Sequence, residues 1–210
     1  MRGYFITFEG PDGAGKSTQI QLLNDYLKAE GWDTVLTREP GGTPIGEKIR
    51  SIILDVENRE MNPIAEMLLY AAARAQHVSQ LIKPALEKGK IVLCDRFVDS
   101  SIAYQGFGRE LGVDMVEGVN HFALQGIVPD LTILFAIDPE KGLERGRTRH
   151  RGMDRLEKEQ MDFHKKVYEG FISLSHKYPQ RIRIIDANLE IEKIHESVIS
   201  EIQRLLKRPK

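Results

Sequence analysis

A single cysteine, Cys94, excludes any intrachain disulfide and fits a reducing compartment, so the cytoplasm is the expected location. Neither sign of charge is in excess: 30 Lys+Arg stand against 31 Asp+Glu, a formal net charge of −1. No global field therefore draws the protein to nucleic acid or to an anionic membrane, and any anion site has to be local. Long apolar runs are missing too. Leu131–Ile137, interrupted by Thr132, is among the longest and falls far short of a membrane span. The N-terminus enters a short strand pattern at once, and no secretory signal is expected. Repeats, low-complexity tracts and linkers are also absent, so the 210 residues are expected to form one domain spanning 1–210.

What is present begins directly after the apolar run Tyr4–Phe8. Residues 10–18 read Gly10-Pro11-Asp12-Gly13-Ala14-Gly15-Lys16-Ser17-Thr18, a complete G-x-x-x-x-G-K-[ST] loop. A strand that ends in such a turn and feeds a helix makes a phosphate cradle. The glycines permit a tight backbone path whose N–H groups face phosphate oxygens. Lys16 would reach the β- and γ-phosphates of a nucleotide such as ATP, and the Ser17 hydroxyl would hold Mg²⁺.

Short apolar runs alternate with helical patterns along the rest of the chain. Strands are expected at Tyr4–Phe8, Thr34–Thr37, Ile91–Cys94, Leu131–Ile137 and Ile182–Ile185. Helices are expected at Lys16–Ala29, Ile45–Leu54, Ile64–Leu86, Ser100–Tyr104, Met115–Leu124, Pro139–Arg149, Lys158–Tyr178 and Ile191–Leu206. Asn62-Pro63 and Asp138-Pro139 read as N-cap plus proline-at-N1 pairs, and Gly31 and Gly89 suit helix C-termini. The alternation implies an α/β fold, a parallel sheet in a three-layer domain.

In open α/β sheets ligands collect beyond the carboxyl ends of the strands. There the chain places Arg38 after the second strand and Asp95-Arg96 after the third. Asp95 reads as a Walker-B-type carboxylate holding Mg²⁺ through water, or as an acid paired with Arg96. Arg38 and Arg96 read as a bidentate clamp on a second anion, with a surface pairing to Glu39 or Asp95 as the plainer alternative. Beyond the fourth strand lie Arg145, Arg147, Arg149 and Arg151, then Asp154-Arg155. On a helix these like charges repel at i, i+4 unless an anion meets them, so the stretch of about 145–157 reads as an arginine lid closing on polyphosphate, with a solvated surface face as the plainer alternative. Nothing in the spacing singles out one catalytic arginine. Tyr70 and Arg74 share a helix face, either as a nucleobase platform or as a core tyrosine beside a snorkelling arginine.

Taken together, Phe8–Thr18, Arg38-Glu39-Pro40-Gly41-Gly42-Thr43, Asp95–Gln105 and Pro129-Asp130-Leu131-Thr132 resemble the thymidylate kinase family. The resemblance runs from residue 4 to about 187. It implies a P-loop nucleoside-monophosphate kinase fold with a five-stranded parallel sheet, usually homodimeric, that phosphorylates dTMP to dTDP with ATP and Mg²⁺. By the same resemblance Asp12 would meet the deoxyribose 3′-hydroxyl, and Arg38 and Arg96 the dTMP phosphate. Tyr70 would cover thymine, Arg74 would contact its carbonyl, and Ser100, Ser101 and Gln105 would line the base and sugar pocket. Tyr104 would occupy the room a 2′-hydroxyl needs, and Ala187 would fall in the adenine-contacting loop. One branch of the family carries an arginine inside the phosphate loop; Gly13 stands there, so the chain resembles the bacterial-type branch with its basic residues in the lid.

Overall fold

The strand Tyr4–Glu9 (β1) lies at the centre of the sheet and divides the hydrophobic interior in two. Successive side chains of a strand point to opposite faces. Phe5 accordingly joins one apolar cluster, whereas Ile6 and Phe8 join the other. The computed structural model describes residues 2–147 and 153–207, without the side chain of Arg147. Around β1 lie Thr34–Arg38 (β2), Ile91–Asp95 (β3), Leu131–Ala136 (β4) and Ile182–Asp186 (β5), all parallel, in the order β2-β3-β1-β4-β5. The three inner strands are covered on both faces, which is why their sequences read as nearly unbroken apolar runs.

Lys16–Ala29 (α1) and Ile191–Leu206 (α9) cover one face, with Leu23, Leu27, Val198 and Ile202 in its core. The other face is covered by Pro63–His77 (α3), Val113–Leu124 (α6) and Met161–Lys177 (α8). Pro44–Leu54 (α2) packs on α3, and Pro139–Arg147 (α7) packs on α8. Each fully buried Leu or Phe side chain contributes roughly 1.5–3 kcal/mol, so the two cores easily support a polar, strained rim. No helix among the described residues is long and apolar enough to cross a membrane.

The expected boundaries shift in informative ways. The helix foreseen over Ile64–Leu86 is α3, a π-helical turn Val78–Ile82, and the short α4, Lys83–Glu87. Pro84 accounts for the turn: it lacks an N–H and its ring crowds the carbonyl four residues back. The helix foreseen at Ser100–Tyr104 starts at Val98 as α5 (Val98–Ser101) and runs on as a π-helix over Ile102–Gly108. Four strands reach one residue further than their apolar runs, and β4 stops one residue earlier. The caps are as expected, with Asn62 accepting from the Ile64 N–H and Asp138 from the Glu140 N–H. Parallel register sets Arg38 beside Asp95 and Asp95 beside Phe8, so β2, β3 and the phosphate loop end together on one rim.

Candidate active site

The loop after β1 turns through Gly10, Gly13 and Gly15 at φ of 130°, 78° and 85°. Side-chain-bearing residues rarely adopt those angles, and Gly15 then opens α1. Lys16 is buried and its ammonium donates to the carbonyls of Gly10 (3.0 Å) and Pro11 (2.8 Å). Burial, with the Arg96 charge added, brings its pKa down to about 8. Ser17 Oγ donates to Asp95 Oδ2 at 3.1 Å, while Asp95 Oδ1 is buried without a partner. A hydroxyl beside a carboxylate with an unused oxygen suits a hard cation such as Mg²⁺.

Arg96 follows β3 in a left-handed conformation (φ 68°) that turns its side chain back over the loop. Its guanidinium donates to the Gly10 carbonyl (2.9 Å), Ser100 Oγ (3.1 Å) and Asp12 Oδ1 (2.7 Å), and it lies over the Tyr104 ring. Tyr104 Oη donates to the other Asp12 oxygen at 3.1 Å. Burial alone would raise the Asp12 carboxyl, but Arg96 and Lys16 outweigh it and hold the group well below the usual carboxylate range. Arg38 pairs with Glu47 at 2.9 Å, not with Glu39 or Asp95, and stays half exposed.

A cleft of about 250 Å³ joins these groups. Asp12, Lys16, Ser17 and Asp95 line it together with Arg38 and Arg96, the latter held directly against the loop by Gly10 and Asp12. Tyr70, Ser100, Ser101, Tyr104 and Gln105 form the far wall. Arg50, from α2, also lines it and was not foreseen; it donates to the Pro40 carbonyl at 2.9 Å. Ala187 is buried and outside the cleft lining, its carbonyl accepting from Arg145 at 2.9 Å.

Arg74 lines the cleft, but it does not snorkel. The residue is 1% exposed and its guanidinium donates to Glu39 (2.8 Å), Ser101 (3.0 Å), Asn120 and the Phe97 carbonyl (3.0 Å). His77 Nδ1 lies 3.0 Å from the other Glu39 oxygen, so one carboxylate holds both the Arg74 guanidinium and the His77 ring. A base carbonyl would therefore have to share Arg74's donors with these partners. Tyr70 is half-buried in the pocket wall, neither wholly core nor open.

The lid stretch divides. Arg155 is buried, donating to Glu66 Oε2 (2.5 Å) and the Ile53 carbonyl (2.9 Å), so it is an anchor and not a free lid cation. Arg149 and Arg151 lie outside the described residues, and Arg147 is described only as the last residue of α7. Two buried acids also escaped the sequence reading. Glu9 accepts from the Phe97 N–H (2.7 Å) and Ser100 Oγ (2.5 Å), and burial beside Asp99 pushes its pKa up to about 8. Glu66 sits one helical turn before Tyr70, so extending the Tyr70–Arg74 spacing backwards would have found it.

A parallel sheet ending in a glycine-rich phosphate loop, with two arginines lining the same cleft, is the architecture of a P-loop kinase. The thymidylate kinase family model matches residues 8–198. A thymidylate kinase of Exiguobacterium sp. is 52% identical over 206 residues, 98% of this chain and 97% of its own length. One from Oceanobacillus iheyensis is 52% identical over 207 residues, 98% of this chain and 92% of its own. Among solved structures, thymidylate kinase from Ehrlichia chaffeensis superposes with a TM-score of 0.79 at 34% identity, covering 97% of this chain and 99% of that one. The chain belongs to the thymidylate kinase family.

Proposed function

We propose that this chain transfers the γ-phosphoryl group of ATP to dTMP, giving dTDP and ADP. The observation that supports it best is one cleft lined both by Lys16 and Ser17 and by Arg38 and Arg96. Lys16 neutralises the donor's terminal phosphates, and the Arg96 fork, pinned by Asp12 and Gly10, orients the acceptor phosphate. That acceptor is already an anion, so no strong general base is required. Ser17 and Asp95 would hold Mg²⁺, which supplies positive charge to the polyphosphate when bound. Arg147, at the end of α7, and Arg149 and Arg151, which follow it in the sequence, add charge and exclude water as the lid. Tyr70 stacks on the base, and Gln105, whose Oε1 is buried and unpartnered, accepts from a base N–H.

Two further features belong to this reading. Leu68 on α3 (51% exposed) and Phe122 on α6 (82% exposed) mark an apolar face on two packed helices, suited to a homodimer. The location is the cytoplasm, in keeping with a buried free thiol at Cys94. Coupled ADP-release assays over a panel of nucleosides and monophosphates test the assignment, with dTMP expected to give the highest kcat/KM. A higher value for another acceptor, or equal ADP release without any acceptor, would overturn it.

A further inference from the structure

Glu66 is fully buried at the start of α3 and touches four donors. Its Oε1 accepts from Gln105 Nε2 (2.8 Å) and Arg109 Nε (3.3 Å). Its Oε2 accepts from Arg109 Nη2 (3.1 Å) and Arg155 Nη2 (2.5 Å). Burial pushes this carboxyl up, but the hydrogen bonds from Arg109, Gln105 and Arg155 and the Arg109 charge pull it below its ordinary value, so it is ionised at neutral pH. An ionised carboxylate only accepts hydrogen bonds, and four donors fill its lone-pair sites.

The consequence falls on Gln105. A glutamine amide has a donating and an accepting half, and either can face a neighbour of mixed character. Here the neighbour is an acceptor alone, so Nε2 must face Glu66; the reverse placement would set a carbonyl oxygen against a buried anion. The accepting half, Oε1, is buried, has no partner, and belongs to a residue lining the substrate cleft. We propose that Glu66 is a specificity-positioning residue that locks the polarity of the Gln105 amide, so that the cleft takes a pyrimidine with a ring N–H and rejects one with a ring-nitrogen lone pair. The inference rests on the proposed dTMP kinase activity. The same carboxylate holds Arg155 at the carboxyl end of the lid stretch, so base selection and the lid's root share one anchor.

Glu66→Gln tests the lock, because an amide at 66 can donate and so tolerates either orientation of Gln105. Affinity and steady-state kinetics are compared for dUMP and dCMP, which lack the methyl group and differ in the ring N–H edge. The dUMP-over-dCMP ratio of kcat/KM is expected to fall at least about tenfold, carried by KM, while any loosened lid lowers kcat for both alike. An unchanged ratio with both substrates equally impaired means Glu66 is only structural, and overturns the proposal. Should the variant not fold, the wild-type side-chain amide of Gln105 is followed by ¹⁵N NMR with and without dTMP. Protection of its Nε2 protons in both states supports the lock, and free exchange in either overturns it. The panel of acceptors on the wild-type chain is run first: a wild-type chain that does not prefer dTMP overturns both readings, whereas intact preference with an unchanged ratio in the variant overturns only this one.

Discussion

Arg96 Nη2 lies 2.7 Å from Asp12 Oδ1, so the acceptor clamp and the phosphate loop are joined by an ion pair of two largely buried side chains. The pair holds the Arg96 guanidinium against the phosphate loop. It also makes one arginine answer to two elements, β3 and the loop after β1.

Arg96→Lys keeps the charge but loses the planar fork that reaches Gly10, Ser100 and Asp12 together. We expect kcat/KM for dTMP to drop about 10²- to 10³-fold, with the KM for ATP changed by less than about threefold. Steady-state kinetics with each substrate varied in turn decide the point. Equal losses for both substrates would overturn its acceptor role, and a loss confined to ATP would place Arg96 on the donor side.

Lys16 leads to a prediction about protons. Its pKa is lowered to about 8 inside the protein, first by burial and then by Arg96, whereas an unfolded lysine titrates near its ordinary 10.5. Below about pH 8 the folded state carries a buried charge. Between about 8 and 10.5 the unfolded chain binds more protons, so the penalty is relieved as pH rises. Polyphosphate beside the ammonium favours its charged form, so nucleotide binding at pH 8 should take up a fraction of a proton. Calorimetry in buffers of differing ionisation heat measures it, and Lys16→Arg should lower the uptake. No uptake in the wild type would contradict the placement of Lys16.

Glu9 has the opposite linkage. Burial beside Asp99 raises its carboxyl from 4.5 to about 8, so the folded state binds more protons across that window. Stability from this group is fully present below about pH 4.5 and is lost as pH rises through about 8. Glu9→Gln retains an acceptor for the Phe97 N–H and cannot ionise. Thermal melts from pH 5 to 9 should therefore fall more steeply with pH for wild type than for the variant, by several degrees in Tm across the range. Parallel curves would mean that Glu9 is already ionised throughout.

The sheet and the phosphate loop were legible because their signals are local. Apolar runs, the glycine spacing of residues 10–18 and the Asn62 and Asp138 caps depend on neighbours within a few positions. That Arg74 is buried and does not snorkel was not legible because its partners are distant in sequence: Glu39 lies 35 residues away and Asn120 lies 46 away. The π-helical turn ahead of Pro84 was missed because a proline within a helical pattern signals a defect without fixing its form. Arg155 looked like one more lid cation. Its burial against Glu66, 89 positions earlier, follows only from the packing of the lid's root against α3.

Gly13 ties the phosphate loop to α7. It sits at φ +78°, and a Cβ there would overlap the carbonyl of Gly142 in α7. The reverse contact is also close, since a Cβ on Gly142 would lie 2.6 Å from the Asp12 carbonyl. Loop and helix thus meet backbone to backbone, and in the sequence Arg149 and Arg151 of the proposed lid follow this helix. The same crowding explains why an arginine at position 13 and the present seat of α7 exclude each other. Gly13→Ala combines left-handed strain of about 1–2 kcal/mol with that overlap, so either the loop or α7 must shift. We expect Tm to fall by several degrees and kcat to fall more than about tenfold. Gly146→Ala, on the same helix but with open space around its Cβ, should instead raise Tm slightly. Melting curves and turnover of the two variants side by side measure the contact, and a Gly13→Ala protein that melts and turns over like wild type would show that α7 is not seated on the loop.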